Sequence, residues 1–438
     1  MSDRLTCDLL HEAVSGRATG LRCRSTLQPA GGPGTKVFPP TYAGGVYATE
    51  YRRLPDHEEP VPCVLLDSVQ SQANRMEEAL LEARDRGDLD DAGIPLIEVD
   101  FGGFWAGDGA EPTDDQPLIE PIGRISSLEA PHRAADAILR DSLVGDDAFR
   151  NSAVGRRITQ ADARRATALF EWCPTSLLFG MWDSTGPKGG LGTKIERAIV
   201  GEVVGINAVF GVRTSSRIDP LGIRLGAGTL YQASEGPLEW TLNEETAVKK
   251  RGTPQKLGKS GKPSEANHGN VTPSLSSMDR EAGRHLGGGV TIDHAEHSVV
   301  ISLAALRRLC FPLEGAADSR DPEQRARDDA ARTTLAAMGI LAATLAADRG
   351  MDLRSRCLLW PSESVGWELL DGPGSVRSID VDVDAALEAF KESVSRARNT
   401  GLPWATEPLV LTPSPDLVRL VASSQSVAVE EGADAEGN

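Results

Sequence analysis

Between Leu177 and Pro220 the chain reads LLFGMWDSTGPKGGLGTKIERAIVGEVVGINAVFGVRTSSRIDP, which sets hydroxyls, glycines and cations side by side. A Gly-rich turn offers backbone N–H groups, Ser184 and Thr185 offer hydroxyls, and Lys188 and Lys194 offer ammonium groups. Donors of this kind hold phosphate oxygens. Trp182 and Asp183 open the turn, and Arg197 follows in a short amphipathic segment. Arg213, Ser215, Ser216 and Arg217 close the run just before Asp219. Strand alternation puts the two arginines on one face, where they suit a nucleic-acid backbone or an ion pair with Asp219. No thiol, histidine or carboxylate pair accompanies these groups, so the chemistry is that of holding phosphates rather than breaking bonds. A Walker A loop is excluded, because position 191 is Leu and Gly192 is followed by Thr.

Two further groups repeat the theme. In LLDSVQSQANRMEEALLEA (Leu65 to Ala83), Ser68 suits a helix cap and Val69, Ala73, Met76 and Leu80 form an apolar stripe. Gln70, Ser71, Asn74 and Arg75 lie off that stripe, as RNA-contact candidates or as a plain solvated face. From Thr246 to Asn270 there are 6 basic residues against 1 acidic. Lys249, Lys250 and Arg251 lead this segment, and no aromatic from Lys249 to Asn270 is available to stack a base, so an electrostatic contact is expected. His294 and His297 flank an acid in DHAEH, yet in a strand they point to opposite faces and no third ligand is near. The GxSxG elbow is absent. No catalytic residue, metal or cofactor is expected.

The elements that must position these groups alternate between helix and strand, which predicts an α/β (α+β) fold. Val61 to Asp67 suits a buried strand, followed by the helix from Ser68 to about Asp85. Further strands are expected at Ile94 to Phe101, Leu177 to Trp182 and Val203 to Val212, and further helices at about Leu128 to Arg140 and Ala161 to Trp172. The expected organisation is residues 1–230, then a basic and mobile insertion over 231–289, then 290–422, then an acidic disordered tail over 423–438. In the third part a strand pair in VTIDHAEHSVVISLAAL precedes a long helix over Asp328 to Arg349, a strand with a turn over Cys357 to Leu370, and an amphipathic helix over Asp382 to Arg398.

The net charge of −18 weighs against a nucleic-acid binder at first sight. The acidity is local, however. Met76 to Glu120 carries 14 acidic and 2 basic residues, whereas Arg124 to Arg217 carries 13 basic and 10 acidic. An acidic and a basic face can therefore coexist, and could meet between copies of the chain in a heterologous, head-to-tail contact. Six cysteines form no CxxC pair, and no signal-peptide core opens the chain, which fits reduced thiols in a cytoplasmic protein. Leu335 to Ala347 is apolar but short, which predicts a buried helix and no membrane contact.

Taken together, KVFPPTY (Lys36 to Tyr42), LLDSVQSQANRMEEALLEA, SSLEAPHRAADAILRDS (Ser126 to Ser142) and the Leu177 to Pro220 run resemble the backbone subunit of a CRISPR surveillance complex. The resemblance is to the Cas-seven family in its subtype I-G (formerly I-U) form, within the RAMP superfamily, over roughly residues 25 to 305. It implies a modified RRM-like, ferredoxin-like palm with finger and thumb insertions, the thumb falling at Tyr231 to Gly289. It also implies a cytoplasmic ribonucleoprotein in antiviral defence. Copies of the chain would line a guide RNA (crRNA) as a filament, beside other Cascade subunits, and present the guide to a target DNA strand. Type III relatives cleave RNA through a palm aspartate, for which Asp67 is the conceivable analogue. A metal-dependent endoribonuclease is thus the alternative, whereas the type I form implies a non-catalytic subunit.

Overall fold

A computed structural model describes residues 3–436 other than 56, 187–192, 235–237, 277, 280–283, 286, 316, 319 and 364. With 31% helix and 28% strand in mixed sheets, the fold is α+β. The chain divides into two units. The first comprises residues 1–103, 122–209 and 289–417, and the second residues 104–121, 210–288 and 418–438.

The first unit is built on one large sheet. Its helices in chain order are α1 (Cys7–Ser15), α2 (Val69–Asp85), α3 (Pro322–Asp348) and α4 (Val383–Asn399). Its main strands are β1 (Gly20–Pro29), β2 (Thr49–Arg52), β3 (Val61–Asp67), β4 (Ile199–Ile206), β5 (His294–Ser302), β6 (Leu358–Pro361), β7 (Gly366–Gly372) and β8 (Ser375–Asp380). Along the sheet they run β8-β7-β1-β5-β4-β3-β2, every neighbouring pair antiparallel, with β6 also paired to β1. β5 shows why one face is covered: Ala295, His297, Val299 and Ile301 are buried, while His294, Glu296, Ser298 and Val300 are not. α2 lies against β4 and α3 against β5, and α3 also packs on α1, α2 and α4. Among the described residues α3 alone is long and apolar enough to cross a membrane, and 72% of that apolar window is buried inside the fold. It is the core helix expected from Leu335 to Ala347.

A second, five-stranded sheet joins Asp147–Ala148, Ser142–Val144, Leu409–Pro413, Ile97–Asp100 and Arg124–Ser126 in that order. All six cysteines are free.

The second unit contains short β pairs. Arg213–Arg217 pairs with Val271–Ser276, Tyr231–Gln232 with Trp240–Thr241, and Lys249–Lys250 with Thr253–Pro254. Leu230, Ala247 and Leu257 are buried and supply its small core.

Several expected elements take a different form. The expected helix from Leu128 to Arg140 is only Ala137–Arg140, because Arg133 adopts a left-handed φ of 52° and Asp136 caps a new start. The apolar run ending at Trp182 is a helical turn, Thr175–Leu178, and a two-residue strand, Met181–Trp182, broken at Gly180. Gly180 has a φ of 83°, and a Cβ there would sit 3.0 Å from the backbone nitrogen of Arg197. The expected strand from Val203 to Val212 is β4, ending at Ile206. The last helix, α5 (Pro415–Glu436), continues through the stretch expected to be a disordered tail.

Candidate nucleic-acid interface

The α2 group is organised by a carboxylate. β3 delivers Asp67 immediately before the cap Ser68, fully buried (0% exposed), and a carboxylate there needs charged or hydrogen-bonding partners. Four side chains supply them. Ser71 Oγ (2.8 Å) and Arg354 (3.1 Å) donate to Oδ1, and Gln72 Nε2 (2.7 Å) and Arg75 Nε (3.1 Å) donate to Oδ2. Arg75 also donates to the carbonyl of Leu353 at 2.5 Å. Because the Gln72 amide nitrogen is committed to Asp67, its Oε1 faces His297 Nε2 at 3.0 Å and fixes the proton on that ring nitrogen. Burial pulls the His297 pKa down to about 4, so the ring is neutral at pH 7. Arg75 and Ser71 therefore brace Asp67, and the Arg75 side chain stays 31% exposed. Gln70 and Asn74 do stand exposed on the helix.

This separation gives a prediction. Gln70→Ala with Asn74→Ala should leave the melting temperature within a degree or two. Arg75→Ala should instead lower the melting temperature, read by circular dichroism. Equal melting curves for the two variants would contradict the assignment.

The turn after Trp182 is framed by a residue that sequence reasoning passed over. Arg150 Nη2 donates to Asp183 Oδ1 (2.6 Å) and Thr185 Oγ1 (3.1 Å), and Nη1 donates to the Thr185 carbonyl (2.9 Å). Asp183 is buried, while Ser184, Thr185 and Lys194 are exposed and Trp182 stands 57% exposed. Lys188 and Gly189, Gly190 and Gly192 lie outside the described residues. Arg197 is turned inward, donating to Phe179 O (3.0 Å) and Val69 O (3.4 Å), which ties this turn to the start of α2. Burial, followed by the nearby Arg133, lowers its pKa.

Beneath both groups is a buried ion pair. Arg133 donates to both oxygens of Glu77, at 2.6 and 2.5 Å, and to Gly180 O at 3.1 Å. The two side chains are 7% and 2% exposed. Burial pushes the Glu77 carboxyl up to about 7 against the pull of Arg133.

Beside Asp67, Arg356 lies over the Phe38 ring at 3.8 Å, and Phe38 N donates to Arg356 O, which brings the KVFPPTY segment and exposed Lys36 to the 353–357 turn. Arg354 and Arg356 are distant in sequence from the other cations, so only an unpartnered Asp67 at the end of an apolar run could have pointed to them. The open face of the sheet is not cationic. Arg22 pairs with Glu368 (2.7 Å), Arg24 with Glu296 (3.4 Å) and Arg52 with Glu202 (2.9 Å).

In the second unit, Arg213, Ser215 and Ser216 are exposed, but Arg217 holds the 267–269 turn, donating to Gly269 O (3.0 Å), His268 O (2.9 Å) and Asn267 Oδ1 (3.3 Å). Asp219 accepts from Gly269 N (2.5 Å) and Leu221 N (2.9 Å), bonds that lower its pKa, so it is not the ion-pair partner of the arginines. Lys249, Lys250 and Arg251 form the tip of a hairpin whose two turn residues, Arg251 (φ 54°) and Gly252 (φ 81°), both take left-handed angles. All three cations are exposed.

Residues 21–209 match the family model of CRISPR-associated protein GSU0053. The match spans less than half of the chain. The match contains Asp67, Arg75, Glu77, Arg133, Arg150, Asp183 and Arg197. Arg354, Arg213 to Arg217 and the Lys249 to Arg251 tip lie beyond it. A chain in the solved structure titled "CRISPR RNA-guided surveillance complex, pre-nicking" aligns with a TM-score of 0.29 at 11% identity, over 93% of this chain and 100% of that chain. No curated protein matches. Among the described residues no three His, Cys, Asp or Glu side chains gather as a metal site, and His294 and His297 do lie on opposite sides of β5.

Proposed function

We propose that this protein is a non-catalytic backbone subunit of a type I-G Cascade-like effector, holding the guide RNA along its sugar-phosphate chain. Several copies line the guide head to tail, joined by other Cascade subunits, and leave base edges free to pair with the target DNA strand. The observation that carries the reading is the exposed Lys249-Lys250-Arg251 hairpin tip. It is a compact cluster of charge without aromatics, suited to phosphates and not to base readout. Exposed Gln70, Asn74, Ser184, Thr185, Lys194 and Arg213 are donors of the same sequence-blind type. The neutralised arginines of the sheet face agree with a contact made by loops and hairpins instead.

The salt dependence of binding tests this. Six neutralised phosphates under the Lys249 to Lys262 cations give a log–log slope of about −4 for single-stranded RNA. Changing Lys249, Lys250 and Arg251 to Ala is expected to shallow the slope by up to about 2 units and to weaken all RNA sequences alike. An unchanged slope would remove the tip from the RNA contact.

A further inference from the structure

β1 changes partner part-way along one edge. Gly20 to Arg24 pair with β7, and Leu27 to Pro29 pair with β6. Near this change of partner, Ser25 lines a cavity of about 590 Å³ between the sheet and the C-terminal end of α3. This volume lies within the range of small-molecule sites, roughly 300 to 1,000 Å³. Leu27, Val299, Ala343, Leu359 and Trp367 give it apolar walls. Two hydroxyls in these walls, Ser25 Oγ and Thr344 Oγ1, are buried without an oxygen or nitrogen partner, and only the Cys23 thiol reaches Ser25. Ser25 is only 9% exposed. The Cys23 thiol beside it is kept protonated by burial, which pushes its pKa up to about 11, and is a weak partner for a hydroxyl. Buried hydroxyls are rarely left unbonded, since each carries a desolvation cost that a partner would offset. His297, held neutral, also faces this space. At its margin are the carboxylates of Asp348 and Asp382.

We propose that this cavity binds a small uncharged amphiphile, an apolar body with one hydroxyl, carbonyl or amide group. The body fills the space against Trp367 and Val299, and the polar group bonds Ser25 and Thr344. An anion of the same length would lose its hydration in these apolar walls and meet Asp348 at the margin, whereas Asp382 is engaged by Arg4 and by Ala385 N. The site is separate from the RNA-contact residues and does not depend on their role.

Titration calorimetry of the full chain with 1-octanol and with octanoate tests it. Saturable one-to-one binding of 1-octanol is expected, with octanoate at least about tenfold weaker because its carboxylate must be desolvated in an apolar cavity beside Asp348. The double variant Ser25→Ala, Thr344→Val should weaken 1-octanol about tenfold. Ala347→Phe, at the half-buried rim, plugs the entrance and should abolish binding while leaving the circular dichroism spectrum unchanged. No saturable 1-octanol binding to the folded wild-type chain would overturn the proposal. So would affinity indifferent to both variants, or octanoate binding as tightly as the alcohol.

Discussion

Arg133→Met is expected to cost about 3 to 5 kcal/mol of stability at pH 8, because it leaves the Glu77 carboxylate buried without its counter-charge. The pair is almost fully removed from water, so solvent does not compensate the loss. The deficit relative to wild type should shrink as the pH is lowered toward 5. The sign follows from linkage. Without Arg133 the folded-state pKa of Glu77 rises further above its unfolded value, so the folded chain holds an extra proton between the two. Stability then falls with rising pH across that window and is recovered on acidification. Denaturant titrations of both proteins at pH 5, 6, 7 and 8 would show it. A deficit that stays constant or grows on acidification would mean that packing against Phe179, rather than charge, is what Arg133 provides.

The second large effect is at Asp67. Asp67→Ala removes the acceptor of four side chains, two of them guanidiniums that are 31% and 26% exposed. Because both are partly solvated, a loss of about 2 to 4 kcal/mol is expected, somewhat below that for a fully buried pair. The 353–357 turn, attached through Arg354 and through Arg75 to Leu353 O, should become sensitive to proteolysis. A catalytic aspartate would behave oppositely. Its removal would spare the melting temperature and abolish RNA cleavage, measurable with labelled RNA and a divalent metal. That outcome would restore the endoribonuclease reading.

What could be read from residues alone was local. β3 over Val61 to Asp67 and the helix that Ser68 starts follow from an apolar run, a capping hydroxyl and a stripe at helical spacing. The helix at Asp382 to Arg398 came within one residue at each end for the same reason. Where the reading departed, distant partners decided. Arg133 leaves the helical region of backbone space to reach Glu77, a residue 56 positions away in the chain. Arg75 lies off the apolar stripe as expected, yet a position off the stripe says only where a side chain begins. Its guanidinium turns to Asp67 and to Leu353, whose carbonyl is 278 positions on. Arg217 likewise serves a turn some 50 residues later. Long cationic side chains were the readiest candidates for RNA contact, and they are also the ones best able to reach a buried carboxylate or carbonyl. The amides Gln70 and Asn74 and the cations of the Lys249 to Arg251 hairpin tip stay exposed. The composition of 231–289, low in hydrophobic residues and rich in Gly, Pro, Ser and Lys, suggests a mobile insertion, and gives no sign of the short β pairs and the buried Leu230, Ala247 and Leu257 found in this part of the chain.

The claim that matters most is that copies of this chain assemble along a guide. Mass photometry of the purified protein with single-stranded RNAs of one, two and three times a given length tests it most directly. The account predicts complexes whose mass rises stepwise with RNA length, by one chain mass per added site. A complex of fixed stoichiometry on all three RNAs, or protein that stays unbound, would contradict it.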